Sequence, residues 1–368
     1  MKLQRLLETF NRIAPESLAE PWDKVGLHLG DPAWGIKSAL LCIDLTEAVI
    51  DEAVEKGSRL VVAYHPPIFE GLERLTTDHW KSRALLKAAQ KRIAIYSPHT
   101  ALDAATGGVN DWLADGMGEG EVEPIRPTDA ATDYKLVAFV PPDALDSVRS
   151  ALADAGAGQI GDYEQCSFSH TGEGTFFGGA STDPAVGKKG RLERVEERRL
   201  EMVCPASAVA DIVTALCDAH PYEEPAFDLY RRAADPTAPV TTGQGRRVTL
   251  KRPVTLSTMV KRIGDRLGTK RLKVADPGHG EKIQTIALCA GAGGSLLEEA
   301  GEIDLFFTGE MRHHDVLDAR ERGIAVVLAG HTQTERPYLA TLRRRLAAEA
   351  ESVDWAVSKA DTAAAQPR

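Results

Sequence analysis

The chain has 368 residues, of which 43% are hydrophobic and 27% are charged, a balance typical of globular proteins with two or three domains. Its formal net charge of −10 argues against duplex nucleic acid or an anionic membrane surface as the main partner. No apolar run is long enough to span a bilayer, and the N-terminal stretch favours an amphipathic helix over a signal peptide. We therefore expect a cytoplasmic protein whose five scattered cysteines are reduced.

The first part of the chain alternates predicted helices and strands. Residues 3–13 predict a helix, and the apolar runs at 39–44, 60–64 and 93–96 predict buried strands. Helical patterns separate these runs, and strand–helix alternation at this spacing is typical of a largely parallel sheet. The first part therefore predicts an α/β fold.

The middle of the chain has a different pattern. Residues 140–152 repeat the pattern of residues 204–216, each copy reading as strand, proline and helix. Two such units with further strands between and after them predict a ferredoxin-like α+β module. The α/β alternation resumes near residue 246. The predicted organisation is a split, two-lobed α/β core with parallel-rich sheets and an inserted module, divided as 1–126 for the first half of the core, 127–235 for the insert and 236–368 for the second half.

Four predicted strand ends carry side chains that commonly bind metal ions. They are His65; His99 with Asp103; Glu310 with His313 and His314; and His331 with Glu335. In open α/β sheets, ligands bind beyond the carboxyl ends of the strands. Imidazole and carboxylate donors without thiolates suit zinc, manganese or iron(II). We expect one or two divalent ions per chain, and two ions bridged by a carboxylate would orient and deprotonate a water molecule.

Each of these patterns has a structural alternative. A spacing of four residues places His331 and Glu335 on one face of a helical turn. Alternatively, Glu335 only favours the helix N-terminus and His331 is an ordinary loop histidine. The sequence His-Pro-Tyr-Glu-Glu at 220–224 resembles a site, but its flanking prolines favour a structural turn. Residues 291–295 could hold an anion, although they lack the lysine of a nucleotide phosphate loop.

Several ordered motifs resemble one known family. At the two ends of the chain they are Trp22-Asp23-Lys24-Val25-Gly26-Leu27, Tyr64-His65-Pro66, His99-Thr100-Ala101-Leu102-Asp103, Thr308-Gly309-Glu310 with His313-His314-Asp315, and Gly330-His331 with Glu335-Arg336-Pro337. The chain resembles the GTP cyclohydrolase 1 type 2 homologues, also called Nif-three-like dinuclear metal proteins. Residues 163–168, 172–176 and 220–226 resemble the PII-like insert of the longer bacterial members.

The resemblance implies a centre with two metal ions. His65 and Asp103 would share one ion, His331 would hold the other, and Glu335 would contact both. The family's first histidine is replaced here by Tyr64, which leaves the ion at His331 with one donor fewer. Groups around these ligands or facing a substrate are the catalytic candidates, namely His99, Glu310 and His314.

The resemblance also bears on function and assembly. It favours a metal-dependent hydrolase of the cyclohydrolase or amidohydrolase kind that acts on a nucleotide or a cyclic amide-like small molecule. The alternative is a non-enzymatic metal-binding regulator or metal-handling protein whose insert senses a ligand. The family further implies a toroidal homohexamer with the metal sites facing an inner cavity.

Overall fold

A computed structural model describes residues 1–128, 133–233, 240–278, 280 and 282–362. The strands, in chain order, are β1 (Gly26–Leu29), β2 (Ser38–Cys42), β3 (Leu60–Ala63), β4 (Ala94–Ser97), β5 (Gly120–Glu123), β6 (Arg126–Pro127), β7 (Tyr134–Val140), β8 (Ser167–Phe177), β9 (Leu192–Cys204), β10 (Phe227–Arg231), β11 (Gly243–Gln244), β12 (Arg246–Val254), β13 (Lys273–Ala275), β14 (Ile283–Cys289), β15 (Leu305–Thr308), β16 (Ala325–Leu328) and β17 (Asp354–Val357).

Short helices connect these strands. The α-helices are α1 (Leu3–Ile13), α2 (Glu47–Glu55), α3 (Trp80–Gln90), α4 (His99–Ala104), α5 (Val109–Asp115), α6 (Leu145–Asp154), α7 (Val209–Ala219), α8 (Leu256–Leu267), α9 (His313–Glu321), α10 (His331–Glu335) and α11 (Leu339–Glu349). Single 3₁₀ turns or short 3₁₀ helices occupy Glu16–Leu18, Pro142–Ala144, Ala206–Ala208, Gly293–Glu299 and Arg336–Tyr338. Among the described helices, none combines the length and the apolar character that crossing a membrane requires.

The chain divides into two compact units. The first unit comprises residues 1–130 and 239–368, and the second comprises residues 131–238. The boundary predicted between residues 126 and 127 would cut through β6. Pro127 pairs with Gly243 of β11, as Arg126 pairs with Gln244, so both residues of β6 belong to the first unit.

The first sheet of the first unit has the order β1-β4-β3-β2-β17. β4, β3, β2 and β17 are parallel, and only β1 at one edge is antiparallel. Both faces are covered, which explains the continuous apolar runs of its strands. Leu41 and Val62 face a core shared with α1, whereas Leu40 and Val61 pack against α2 and α3.

The second sheet is mixed, which corrects the expectation of parallel-rich sheets throughout. Its order is β13-β16-β15-β14-β12-β5, and only β14, β15 and β16 are parallel. In β12 buried and half-buried residues alternate before the strand becomes exposed, and such alternation is typical of an antiparallel strand with one covered face. Leu288 and Phe307 join the same core as the first sheet, and Phe306 and Val326 pack under α9.

The second unit has the chain order β7, α6, β8, β9, α7 and β10. Its four strands form an antiparallel sheet in the order β10-β7-β9-β8, which is the ferredoxin-like arrangement. Leu152 of α6 and Leu216 of α7 pack on Leu136 and Leu200 on one face of this sheet. The repeat seen in the sequence therefore corresponds to two copies of strand, 3₁₀ turn and helix.

Candidate metal centre

The ends of parallel strands position the side chains of the candidate centre. His65 follows β3, α4 begins at His99 directly after β4, Glu310 follows β15, and α10 begins at His331 after β16. The carboxyl ends of parallel strands lie at one edge of a sheet, so residues distant in sequence meet there. All of these residues belong to the first unit.

Two imidazoles and one carboxylate converge in this region. Donor atoms of His65, His331 and Glu335 all lie within 4.8 Å of one another. Nε2 of His331 is 3.1 Å from Oε1 of Glu335, and Nε2 of His65 is 3.5 Å from Oε2 of the same carboxylate. Because residues 331–335 are helical, the spacing of four residues brings His331 and Glu335 together. Glu335 therefore lies between the two histidines.

Each of these histidines is held by a second carboxylate. Nδ1 of His65 is 2.9 Å from Oδ1 of Asp44, and Nδ1 of His331 is 2.8 Å from Oε1 of Glu310. A carboxylate at Nδ1 keeps the proton there and leaves Nε2 to face the centre, as in the carboxylate–histidine pairs of metalloproteins. Glu310, a catalytic candidate from the sequence, thus orients His331. Asp44 was not among the candidates, although it ends the apolar run at 39–44.

Asp361 links the ends of β2 and α10. Its carboxylate pairs with the guanidinium of Arg336, the residue after Glu335. The same carboxylate accepts hydrogen bonds from the amides of Ile43 at 2.7 Å and Asp44 at 3.4 Å. These contacts fix the position of Asp44 relative to Glu335, and nothing in the sequence near Asp361 indicated this link.

The centre strongly favours positive charge. Burial disfavours the imidazolium of His65, but Asp44 and Glu335 outweigh burial and raise its pKa to about 10. The Glu335 carboxylate raises the pKa of His331 to about 9, against the opposing effect of burial. Burial acts to raise the pKa of Glu335, yet the two histidines lower it below its usual range. Either a proton on the histidines or a bound metal cation would balance the negative charge of the carboxylates at the centre.

Two details of the packing fit a bound cation. Oε2 of Glu335 is buried and makes no hydrogen bond to any described residue. Gly291 lies directly against the centre with φ of +61°, and a Cβ atom there would be 2.6 Å from Oε1 of Glu335 and 3.1 Å from Nε2 of His331. An orphaned carboxylate oxygen, two imidazole nitrogens and a neighbouring glycine form a donor set suited to zinc, manganese or iron(II).

Asp103, the fourth predicted ligand, lies beside this group but is not a member of it. Its carboxylate accepts a hydrogen bond from the buried hydroxyl of Tyr64. Burial raises the pKa of Asp103 to about 6. Burial, followed by the charge of Asp103, raises the pKa of Tyr64 well above its usual value. In this arrangement Tyr64 is therefore a protonated donor to Asp103.

His99 has the same kind of support as the two central histidines. Its Nδ1 is 2.7 Å from Oδ1 of Asp23, and its ring centroid is 5.4 Å from that of His65. Burial acts to raise the pKa of Asp23, but hydrogen bonds from His99 and Thr100 lower it to about 2. In the sequence, Asp23 belongs only to the motif at 22–27. Its contact with His99 becomes visible only in the folded structure.

The remaining candidates lie elsewhere. His313 and His314 are exposed in the first turn of α9 and do not line the cavity at the centre. The sequence could not show this, because the direction of a side chain at a helix start depends on how that helix packs. The cavity itself has a volume of about 400 Å³, and His65, His99, Asp103, His331 and Glu335 all line it.

Comparison with known proteins identifies the family of this chain. The sequence pattern of the Duf34/NIF3 (NGG1p interacting factor 3) family matches residues 1–364. The chain is 37% identical over 330 residues to the GTP cyclohydrolase 1 type 2 homolog of Bacillus subtilis, which covers 89% of this chain and 87% of that protein. It is 35% identical over 367 residues to NIF3-like protein 1 of Rattus norvegicus, covering 96% of this chain and 89% of that one.

A solved structure gives the same result. The Bacillus cereus protein related to NIF3 matches with a TM-score of 0.76 and 33% sequence identity, over 98% of this chain and 97% of that chain. The family resemblance inferred from the motifs is confirmed. With matching sequence and fold along almost its whole length, the chain belongs to the Duf34/NIF3 family.

Proposed function

We propose that this protein is a divalent-metal-dependent hydrolase that acts on a nucleotide or a cyclic amide-like substrate. The observation that carries the proposal is the convergence of donor atoms of His65, His331 and Glu335 within 4.8 Å in a group that lines a cavity. The Bacillus subtilis relative is named as a homolog of a GTP cyclohydrolase, which agrees with hydrolysis of a ring.

The residues of the centre would have different roles. His65, His331 and Glu335 would hold the ion, and Asp103 would join them if it exchanged the hydrogen bond from Tyr64 for a metal contact. A divalent ion supplies a Lewis acid and lowers the pKa of water that it binds. His99 lines the cavity with Nδ1 fixed by Asp23, so its Nε2 can hold or give a proton.

The decisive experiment measures turnover and metal content together. Purified protein loaded with zinc, manganese or iron(II) is screened against nucleotides and cyclic amides, with chelated protein and Glu335→Gln as controls. We expect hydrolysis that requires both the metal and Glu335. Metal bound at the centre with no turnover of any compound in the screen would contradict the hydrolase proposal.

A second candidate function is a non-enzymatic metal-binding regulator. One observation favours it, a cavity of about 660 Å³ in the second unit, lined by Phe139, Arg199 and Tyr222 among others. Phe139 alternates with the buried Ala138 and Val140 along β7, so the cavity lies on the sheet face opposite α6 and α7. As a PII-like insert, this unit would bind a ligand there and respond to it. Ligand-dependent change in metal affinity without turnover would support this role.

The proposal also covers the oligomeric state and the cellular location of the protein. We infer a cytoplasmic homohexamer with the centres facing an inner space, on the grounds of family membership. Light scattering coupled to size-exclusion chromatography measures the mass of the assembly against 39.7 kDa for one chain. A monomer at micromolar concentration would contradict the hexamer.

A further inference from the structure

Two aromatic side chains stand exposed at the cavity of the candidate centre. Trp22 is 55% exposed and Phe69 is 40% exposed, and both line the same cavity as His65, His331 and Glu335. The ring centroids of Trp22 and Phe69 are 5.9 Å apart at an interplanar angle of 51°. Large aromatic side chains left partly in water beside a site are a feature of ligand-binding surfaces.

Asp23, the neighbour of Trp22, is held in place by contacts with α4. The Asp23 carboxylate accepts hydrogen bonds from the amide of Thr100 at 3.1 Å and from its hydroxyl group, and it contacts Nδ1 of His99. The Trp22 ring lies edge-on to His99 with 6.2 Å between centroids. The backbone at Trp22 is thus anchored to the start of α4 through Asp23. An anchored backbone leaves less conformational entropy to be lost when a ligand stacks on the ring.

Polar side chains line other parts of the cavity. Glu20 and Arg126 line it and pair with each other, with 3.1 Å between Nη1 and Oε1. Gln244 also lines it, and its amide nitrogen donates to the carbonyl oxygen of Thr100 at 2.9 Å. These groups can exchange hydrogen bonds with the edge of a ring whose face lies on an aromatic side chain. A saturated ring offers similar polar edges but no flat π-face.

We propose that Trp22, flanked by the tilted ring of Phe69, forms a stacking platform for a planar nitrogen heterocycle. This inference rests on the proposed function, because it names the substrate class of the same site. It selects an aromatic heterocycle over a saturated cyclic amide, since base–aromatic stacking requires a π-face. The platform places the ring beside the histidines and carboxylates of the centre.

The test compares two probes that differ only in saturation. Uracil is planar and aromatic, whereas 5,6-dihydrouracil has the same polar edge with a puckered ring; the purine nucleoside inosine offers a larger face. Binding to the full-length protein is measured by calorimetry and by tryptophan fluorescence, with and without bound zinc. We expect uracil to bind more tightly than dihydrouracil, and inosine to quench Trp22.

Matched variants separate stacking from folding. We expect Trp22→Leu to weaken inosine binding about tenfold or more, Trp22→Phe to retain most of it, and Phe69→Leu to have a smaller effect. Trp80→Leu is the control, because Trp80 is also 42% exposed but does not line the cavity. Equal binding of uracil and dihydrouracil, unchanged inosine binding in Trp22→Leu, or no binding of any probe would overturn the platform.

The outcome for the platform is distinguishable from that for the hydrolase. Inosine binding that depends on Trp22, without metal-dependent turnover of any compound, would keep the platform and contradict the hydrolase. Metal-dependent opening of dihydrouracil at the same rate in Trp22→Leu and wild type would keep the hydrolase and overturn the platform.

Discussion

Two segments of the chain place a glutamate four residues after a histidine, and the fold uses them differently. His331 and Glu335 begin and end α10, which brings Nε2 and Oε1 to 3.1 Å. His220 follows α7, and Glu224 is exposed in the turn beyond it. The difference begins with Pro221, because a residue before proline favours extended backbone, and His220 has φ −78° and ψ 136°.

The ring nitrogens complete the contrast. His220 donates from Nε2 to the carbonyl oxygen of Phe139 at 3.0 Å, and its Nδ1 accepts from the amide of Tyr222 at 3.1 Å. Neither nitrogen is left for a ligand, which agrees with the structural turn favoured from the sequence. In His331, only Nδ1 contacts the supporting carboxylate of Glu310. Spacing therefore predicts a metal site only where the backbone is helical and one nitrogen stays available.

The largest expected effect tests this contrast directly. Glu335→Gln removes the charge between His65 and His331, and we expect zinc affinity to fall by more than about 100-fold, beyond the loss typical of supporting residues. Glu224→Gln changes the equivalent residue of the insert and should leave the affinity unchanged. Competition with a chelator of known affinity gives both values. Equal zinc affinities in the two variants would show that Glu335 contributes no more to metal binding than Glu224 does.

A somewhat smaller loss of zinc affinity is expected when a residue that orients a ligand is changed. Asp44→Asn replaces the carboxylate that keeps the proton on Nδ1 of His65, and we expect a loss of zinc affinity of about 10- to 100-fold. Asp51→Asn, an exposed aspartate of α2, is the matched control. Wild-type affinity in Asp44→Asn would show that His65 is oriented without this partner or does not bind the metal.

Replacing Tyr64 is expected to increase metal affinity. Tyr64→His adds a neutral nitrogen donor and releases Asp103 from its hydrogen bond. We expect one tight ion in the wild type and a second that is labile, and this second ion should tighten about tenfold in the variant, an effect of roughly 1.4 kcal/mol. Calorimetric titration with zinc counts the ions. Two equally tight ions in the wild type, unchanged in the variant, would contradict this argument.

The sequence predicted the centre unevenly. Apolar runs ending in His65 and His331, and the helical spacing to Glu335, were readable because strand and helix periods are local. The supporting residues Asp44 and Asp23 were not readable, because their pairing depends on which strands and loops become neighbours. The exposure of His314 was not readable for a related reason, because it depends on how α9 packs. The antiparallel strands added to the second sheet likewise follow from packing across long separations.

The insert gives a smaller, structural prediction. His220→Ala removes the donor to the partly buried carbonyl of Phe139, and we expect a loss of roughly 1–3 kcal/mol in the free energy of unfolding with unchanged zinc affinity. Burial lowers the pKa of His220 below 6.5. The unfolded chain therefore binds a proton first as the pH falls below 6.5, and this part of the stability, complete above that pH, is progressively lost. The difference in the free energy of unfolding between wild type and variant, measured by denaturant titration, should therefore narrow as the pH falls below 6.5; a constant difference would contradict this.

The smallest effect is expected from removing the insert. The pairing of β6 with β11, and the hydrogen bond of 3.0 Å from the amide of Thr128 to the carbonyl oxygen of Thr242, bring the chain ends together. We predict that replacing residues 131–238 by a short Gly/Ser linker leaves zinc affinity unchanged. The control joins the same linker to Glu335→Gln. A folded deletion variant without metal binding would show that the centre depends on the insert.

The pairing of β17 with β2 has a consequence for how the protein is made. Residues 354–357 complete the sheet beside residues 38–41, so the edge of β2 stays open until these residues have been synthesised. An open strand edge invites pairing with other chains, and incomplete chains on the ribosome are exposed to that hazard. His331 and Glu335 also follow most of the other residues of the centre in the chain. A nascent chain therefore cannot assemble the centre before residue 335 has been synthesised.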